Sequence, residues 1–212
     1  MINTEDQNSL FELVANKIKK DIACFAIGGT AMMFHGYKNA TKDIDLVFHS
    51  KEDMDEFIDA IGSLGYKERS LFDIYSKEQQ KNRNKPRMFT RGEERFDLFL
   101  KKVFVLELTE EKRGRFDFIG ENTLIIFTPP KEWLIMMKII TNREKDFDDI
   151  ISICEKEKEI DWDLVIGTIL KSADSDWIYL DLEENLKRIS KHVFIKKRYF
   201  ESIYKSFEDR KK

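Results

Sequence analysis

The sequence predicts an α+β protein, with strands and helices interleaved over 1–128 and a helical region over 129–212. Three observations carry this. Short apolar runs of strand length are interleaved with amphipathic stretches in the first region. Pro129-Pro130 then marks a change of character, beyond which apolar residues recur at helical spacing with almost no strand pattern. Finally, 42% hydrophobic and 12% aromatic residues, Phe foremost with 17, are too many for a disordered chain and enough for a real core.

Along the chain, Leu10, Phe11, Val14 and Ile18 repeat at helical spacing, so residues 5–20 read as an amphipathic helix. The apolar run from Ile22 to Ile27 has the length of a buried strand and is stopped by Gly28-Gly29. A short helix from Thr30 to Gly36 follows, and Ile44 to Phe48 is a second strand. Lys51 to Leu64 is a helix with Gly65 placed to end it. Strand-like stretches then fall at Tyr66–Arg69, Leu71–Tyr75, Met88–Thr90, Arg95–Leu100, Arg115–Phe118 and Thr123–Phe127. Beyond the prolines, helices are expected over 130–141, 144–157, 161–171, 176–189 and 197–209.

The 37 Lys and Arg nearly balance the 40 Asp and Glu, for a net charge of −3, which argues against coating nucleic acid by bulk charge. The distribution is uneven. Residues 141–184 carry 14 acidic against 5 basic side chains, 186–212 carry 10 basic against 3 acidic, and 77–95 carry 7 basic against 3 acidic. Either basic segment could hold RNA phosphates, but the tail reads first as a solvated helix face paired against the acidic block, which makes the 77–95 loop the better nucleic-acid candidate. Cys24 and Cys154 stand 130 positions apart with no C-x-x-C, which excludes a zinc ribbon or disulfide framework. No apolar run is long enough for a bilayer span, and the polar, acidic start is unlike a signal peptide, so a cytoplasmic protein with no membrane partner is expected. His35, His49 and His192 lack metal-ligand spacing, and neither a P-loop nor G-x-G-x-x-G is present.

The chemistry concentrates between Phe25 and Phe48. A buried strand ends in Gly28-Gly29-Thr30, a helix opens, and Asp43-Ile44-Asp45 begins the next strand. Alternation along a strand points Asp43 and Asp45 to one face. Two neighbouring carboxylates repel unless a cation lies between them, and an oxygen-only pair suits Mg²⁺ with substrate phosphates. Glycines let the backbone approach a ligand, and the helix start offers N–H groups to an anion. Asp97, in another strand-like run, is the candidate third carboxylate of a two-metal site; its alternative is a salt bridge to Arg95. Lys138 lies in the apolar run Leu134 to Ile140 and must either snorkel to water or meet an anion, a nucleoside triphosphate or Asp146 or Asp149.

Gly28-Gly29-Thr30, a twelve-residue spacer, Asp43-Ile44-Asp45 and a later strand aspartate at Asp97 resemble the nucleotidyltransferase superfamily that includes DNA polymerase beta. More narrowly the chain is similar to minimal prokaryotic nucleotidyltransferases, including abortive-infection toxins acting on RNA and antitoxins that nucleotidylate a partner protein. The segment from Pro130 through Lys138 to Asp149 resembles that group's helical region, and Lys38 stands where many relatives carry an arginine. The resemblance covers about residues 20–155. It implies a nucleotidyltransferase-like mixed sheet with flanking helices, and an enzyme moving an NMP from an NTP to an acceptor hydroxyl with Mg²⁺ or Mn²⁺. Asp43, Asp45 and Asp97 would be the catalytic and metal-binding residues, and Gly28, Gly29, Thr30, Lys38 and Lys138 the nucleotide-binding ones. RNA, such as a tRNA end, is the expected acceptor, within a toxin–antitoxin setting. The rivals are nucleotidylation of a partner toxin and an inactive nucleotidyltransferase-fold module acting as antitoxin.

Overall fold

A computed structural model describes residues 1–69, 85–103, 105–173 and 175–211. The stretch Leu71–Tyr75 and residues 77–84 of the basic segment lie outside the described residues. Two compact units form, Met1–Pro129 and Pro130–Lys212.

The first unit is built on a mixed seven-stranded sheet. Its first helix, α1 (Thr4–Ala15), is opened by Asn3, which exchanges hydrogen bonds with Asp6: the Asp6 N–H donates to Asn3 (2.9 Å) and the Asn3 N–H to the Asp6 carboxylate (3.2 Å). The helix ends five residues earlier than its apolar period suggests. The Asn16 side-chain amide donates to the Glu12 carbonyl (2.9 Å) and ends it, while Ile18 still reaches the core from beyond the helix. Strand β2 (Ile22–Ala26) leads into helix α2 (Gly28–Phe34), and β4 (Ile44–Phe48) leads into α3 (Lys51–Ser63), whose Ser50 cap accepts from the Asp53 N–H at 3.0 Å. The remaining strands of the sheet are β5 (Lys67–Arg69), β6 (Arg87–Arg91), β7 (Glu94–Leu100), β10 (Gly114–Ile119) and β11 (Thr123–Thr128).

The strand order is β10-β11-β2-β4-β7-β6-β5, with β11–β2 and β4–β7 parallel and the other pairs antiparallel. Four two-residue strands, β1 (Ile2–Asn3), β3 (Ala40–Thr41), β8 (Lys102–Val103) and β9 (Leu106–Glu107), pair two by two outside this sheet. They are too short to show any hydrophobic period. Phenylalanine fills the core, where Phe57 packs against Phe48 and Phe96, each at 5.4 Å between centroids, and the half-buried Phe34 stacks on the half-buried Phe116 at 4.1 Å. Each fully buried ring contributes about 1.5–3 kcal/mol of transfer free energy.

The second unit is helical: α4 (Lys131–Thr141), α5 (Glu144–Lys156), α6 (Trp162–Ser172), α7 (Asp176–Ile189) and α8 (Lys197–Arg210). Residues 132–140 of α4 are all buried, so this helix is apolar nearly all round and takes the centre, against α5, α6 and α7. Among the described residues no helix is long and apolar enough to cross a membrane.

Candidate active site

The central strands β4 and β7 run parallel, with Asp45 opposite Asp97 in the register. On β4, Ile44 and Leu46 are fully buried on one face while Asp45 is half-buried on the other. On β7, Phe96 and Leu98 pack inward in the same way, and Arg95 and Asp97 share the opposite face. The sheet therefore puts Asp45 and Asp97 side by side, although 52 positions separate them in sequence. Asp43 comes just before β4.

Gly28 and Gly29 form the first turn of α2, at the mouth of β2. The backbone of Gly28 has φ +55°, and a Cβ there would lie 2.6 Å from the Asp45 carboxylate oxygen Oδ2. Only glycine meets both conditions. A Cβ on Gly29 would stand 2.3 Å from the Thr41 hydroxyl oxygen, so this turn is packed tightly against β3. The Thr30 side chain is fully buried, and its hydroxyl oxygen accepts from the Asp45 N–H at 3.0 Å. The Ile27 N–H donates to the Asp45 carbonyl at 3.1 Å. Two hydrogen bonds thus fix the glycine turn against the strand that carries the aspartate. Lys38 is half-buried, shortly after α2.

Arg95 organises the carboxylates. Its Nε and Nη2 donate to the two oxygens of Asp97 at 2.8 and 2.5 Å, and Nη2 also reaches Asp43 at 3.0 Å. Asp97 is only 3% exposed and would be costly there without a countercharge. The guanidinium supplies it, in the two-point geometry that arginine favours. Sequence reading offers the Arg95–Asp97 pair only as the alternative to a metal role for Asp97, although residues two apart on a strand share a face. It misses the link to Asp43, which depends on the pairing of β4 with β7.

The three aspartates offer only oxygen donors, the chemistry taken by Mg²⁺ or Mn²⁺, so the residue types fit such an ion. As the side chains stand, Arg95 holds two of the three. Among the described residues no three His, Cys, Asp or Glu side chains are arranged to hold a metal ion.

Lys138 belongs to the second unit. Its amine donates to Asp146 at 3.1 Å and to Asp149 at 2.5 Å, and all three side chains are buried. Asp146 also accepts from the Thr141 hydroxyl at 2.6 Å and from Arg143 at 2.7 and 3.1 Å. Burial pushes the Asp146 carboxyl up, but the Arg143 hydrogen bonds and the Lys138 charge outweigh it and hold its pKa at about 2. Of the two anions that the sequence offers this lysine, its own aspartates are the ones it contacts.

In the described part of the basic 77–95 segment, the arginines are paired within the fold. Arg87 binds Glu68 at two points (2.8 Å each), Arg91 binds Glu94, and Phe89 is buried. The histidines make local contacts: His35 with the Thr128 hydroxyl at 2.8 Å, His49 edge-on to Phe25, and His192 edge-on to Phe147.

A comparison with curated proteins finds no match. A family profile described as "nucleotidyltransferase of unknown function (DUF6036)" matches residues 8–205. That span takes in the glycine turn, all three aspartates and most of the helical unit, and the chain belongs to this family of nucleotidyltransferases.

Proposed function

We propose that the protein transfers a nucleoside monophosphate from an NTP to an acceptor hydroxyl, with RNA such as a tRNA end as acceptor and Mg²⁺ or Mn²⁺ required. The observation that carries the reading is the placement of Asp45 and Asp97 side by side at the glycine turn. The acceptor hydroxyl attacks the α-phosphate in line, its proton leaves to a carboxylate or solvent, and the bond to the β-phosphate breaks to release pyrophosphate. Asp43, Asp45 and Asp97 would hold the divalent ion, which offsets phosphate charge and lowers the pKa of the attacking hydroxyl. Gly28 lets the triphosphate come close to the backbone of the turn. Gly29 and Thr30 keep that turn against β4, and Lys38 meets the outer phosphates as a point charge. Lys138 serves the nucleotide only if it leaves its two aspartates. The likeness to abortive-infection toxins and antitoxins supports a cytoplasmic toxin–antitoxin setting, with a partner protein as the rival acceptor.

A second reading has an observation of its own. Arg95 already neutralises Asp43 and Asp97, as a module that binds without catalysis would allow. Labelled NTPs with Mg²⁺ and panels of RNA and protein acceptors separate the two. Transfer that falls at least about 100-fold in Asp43→Asn and Asp45→Asn supports the enzyme. NTP binding without transfer to any acceptor supports the module, and transfer that survives both substitutions overturns the assignment.

A further inference from the structure

We propose that the connection between α7 and α8, residues 190–196, is a contact for single-stranded RNA in which Phe194 stacks on a base and Lys191 and Lys196 take the flanking phosphates. The inference starts from the RNA-acceptor reading and gives it a surface.

Part of the basic tail is answered by the fold's own acids. Arg188 pairs with Glu144, Arg198 with Asp163, Lys187 with Glu183 and Arg210 with Asp176. Lys191 and Lys196 are exposed, and neither makes an ion pair among the described residues. No acidic residue occurs from Leu186 to Phe200, so nothing local offsets their charge. Between them Phe194 is 83% exposed, while its neighbour Ile195 is 8% exposed and anchors the segment. A large aromatic ring held out in water beside uncompensated lysines combines the two elements that single strands recognise: a face for a base and cations for the backbone. An anionic membrane would need a broad apolar face, and here one ring stands among cations. A folded acidic partner would use the lysines and leave the ring without a role.

The test is fluorescence anisotropy of a labelled oligouridine of about 20 nucleotides, using the full chain with EDTA and without NTP, so that binding and transfer are read separately. Wild-type protein binds with an affinity that falls as salt rises. Phe194→Ser weakens binding roughly tenfold, and Phe194→Trp restores it. Lys191→Glu with Lys196→Glu flattens the log–log salt slope by about 1.4, two phosphates' worth. These positions are exposed, and far-ultraviolet circular dichroism is expected to be unchanged in all variants. Unaltered affinity in the Phe194 and lysine variants overturns the proposal, as does displacement of the oligonucleotide by polyglutamate at equal charge. Phosphatidylserine vesicles captured through Phe194, with no RNA binding, reassign the surface to membrane. RNA binding that follows this pattern in a protein with no transferase activity leaves the proposal standing while the enzymatic reading falls.

Discussion

Arg95 grips Asp97 at both carboxylate oxygens from two positions earlier on the same strand, and the same guanidinium nitrogen that makes the 2.5 Å contact reaches Asp43. One cation of the chain thus occupies the place between carboxylates that a divalent ion would be expected to fill. Removing it takes the two-point contact away from the buried Asp97. Arg95→Gln is expected to cost about 3 kcal/mol in chemical denaturation with EDTA present. Mg²⁺ or Mn²⁺ should raise the melting temperature of this variant more than that of the wild type, because the ion then meets carboxylates without an internal rival. Equal shifts in the two proteins would show that the aspartates do not take the ion.

Gly28→Ala is expected to damage the site more than the fold. The left-handed backbone costs about 1–2 kcal/mol for a residue with a Cβ, which denaturant melts report. The added methyl also displaces the Asp45 carboxylate, since 2.6 Å is too short for contact. Nucleotide binding by calorimetry should fall much further than stability does. Gly62→Ala, where a Cβ meets nothing within 4 Å, is the matched control with neither effect.

The Asp146 cluster makes stability depend on acid. Its pKa falls from 3.8 in the unfolded chain to about 2 in the folded one, so its contribution is complete above 3.8 and is lost as the pH drops toward 2. The contribution is about 2 kcal/mol. Asp146→Asn should destabilise the protein by that order at neutral pH and flatten the acid limb of a stability–pH curve. Asp148→Asn, on the exposed face of α5, should stay within about 0.5 kcal/mol of wild type.

Neither cysteine is expected to react readily in the native state. Cys24 is buried, and loss of solvation pushes its thiol pKa up; Cys154 is raised to about 11, first by burial and then by the charge of Glu155. A disulfide exchange reagent at mildly alkaline pH should leave Cys24 unlabelled and modify Cys154 slowly, since the thiolate is the reactive form. Both should react at once in denaturant.

Much of this architecture is legible in the sequence, and the exceptions have causes. Strand β4 and helix α7 fall where their patterns place them, because each has a clear period and clear ends. Helix α1 stops early because an asparagine side chain competes for a backbone carbonyl, an event that hydrophobic spacing does not register. The glycine turn and the Asp43–Asp45 pair are local in sequence and readable as a motif. The grip of Arg95 on Asp43 is not local, and the contact of Thr30 with the Asp45 N–H is a packing outcome that residue type alone does not distinguish from a ligand contact. Charge totals likewise conceal that the tail's arginines are satisfied while several of its lysines make no ion pair among the described residues.

The parallel pairing of β4 with β7 also bears on how the protein reaches its working state. A fragment ending before residue 94 would carry the glycine turn and the Asp43–Asp45 pair yet lack the strand that sets Asp97 beside Asp45. Closing a pairing between strands so far apart in sequence is slow compared with forming local helices. Ligand affinity should therefore appear late during refolding, after most helical signal has returned. A nascent chain on the ribosome would display the motif well before it could bind anything with it.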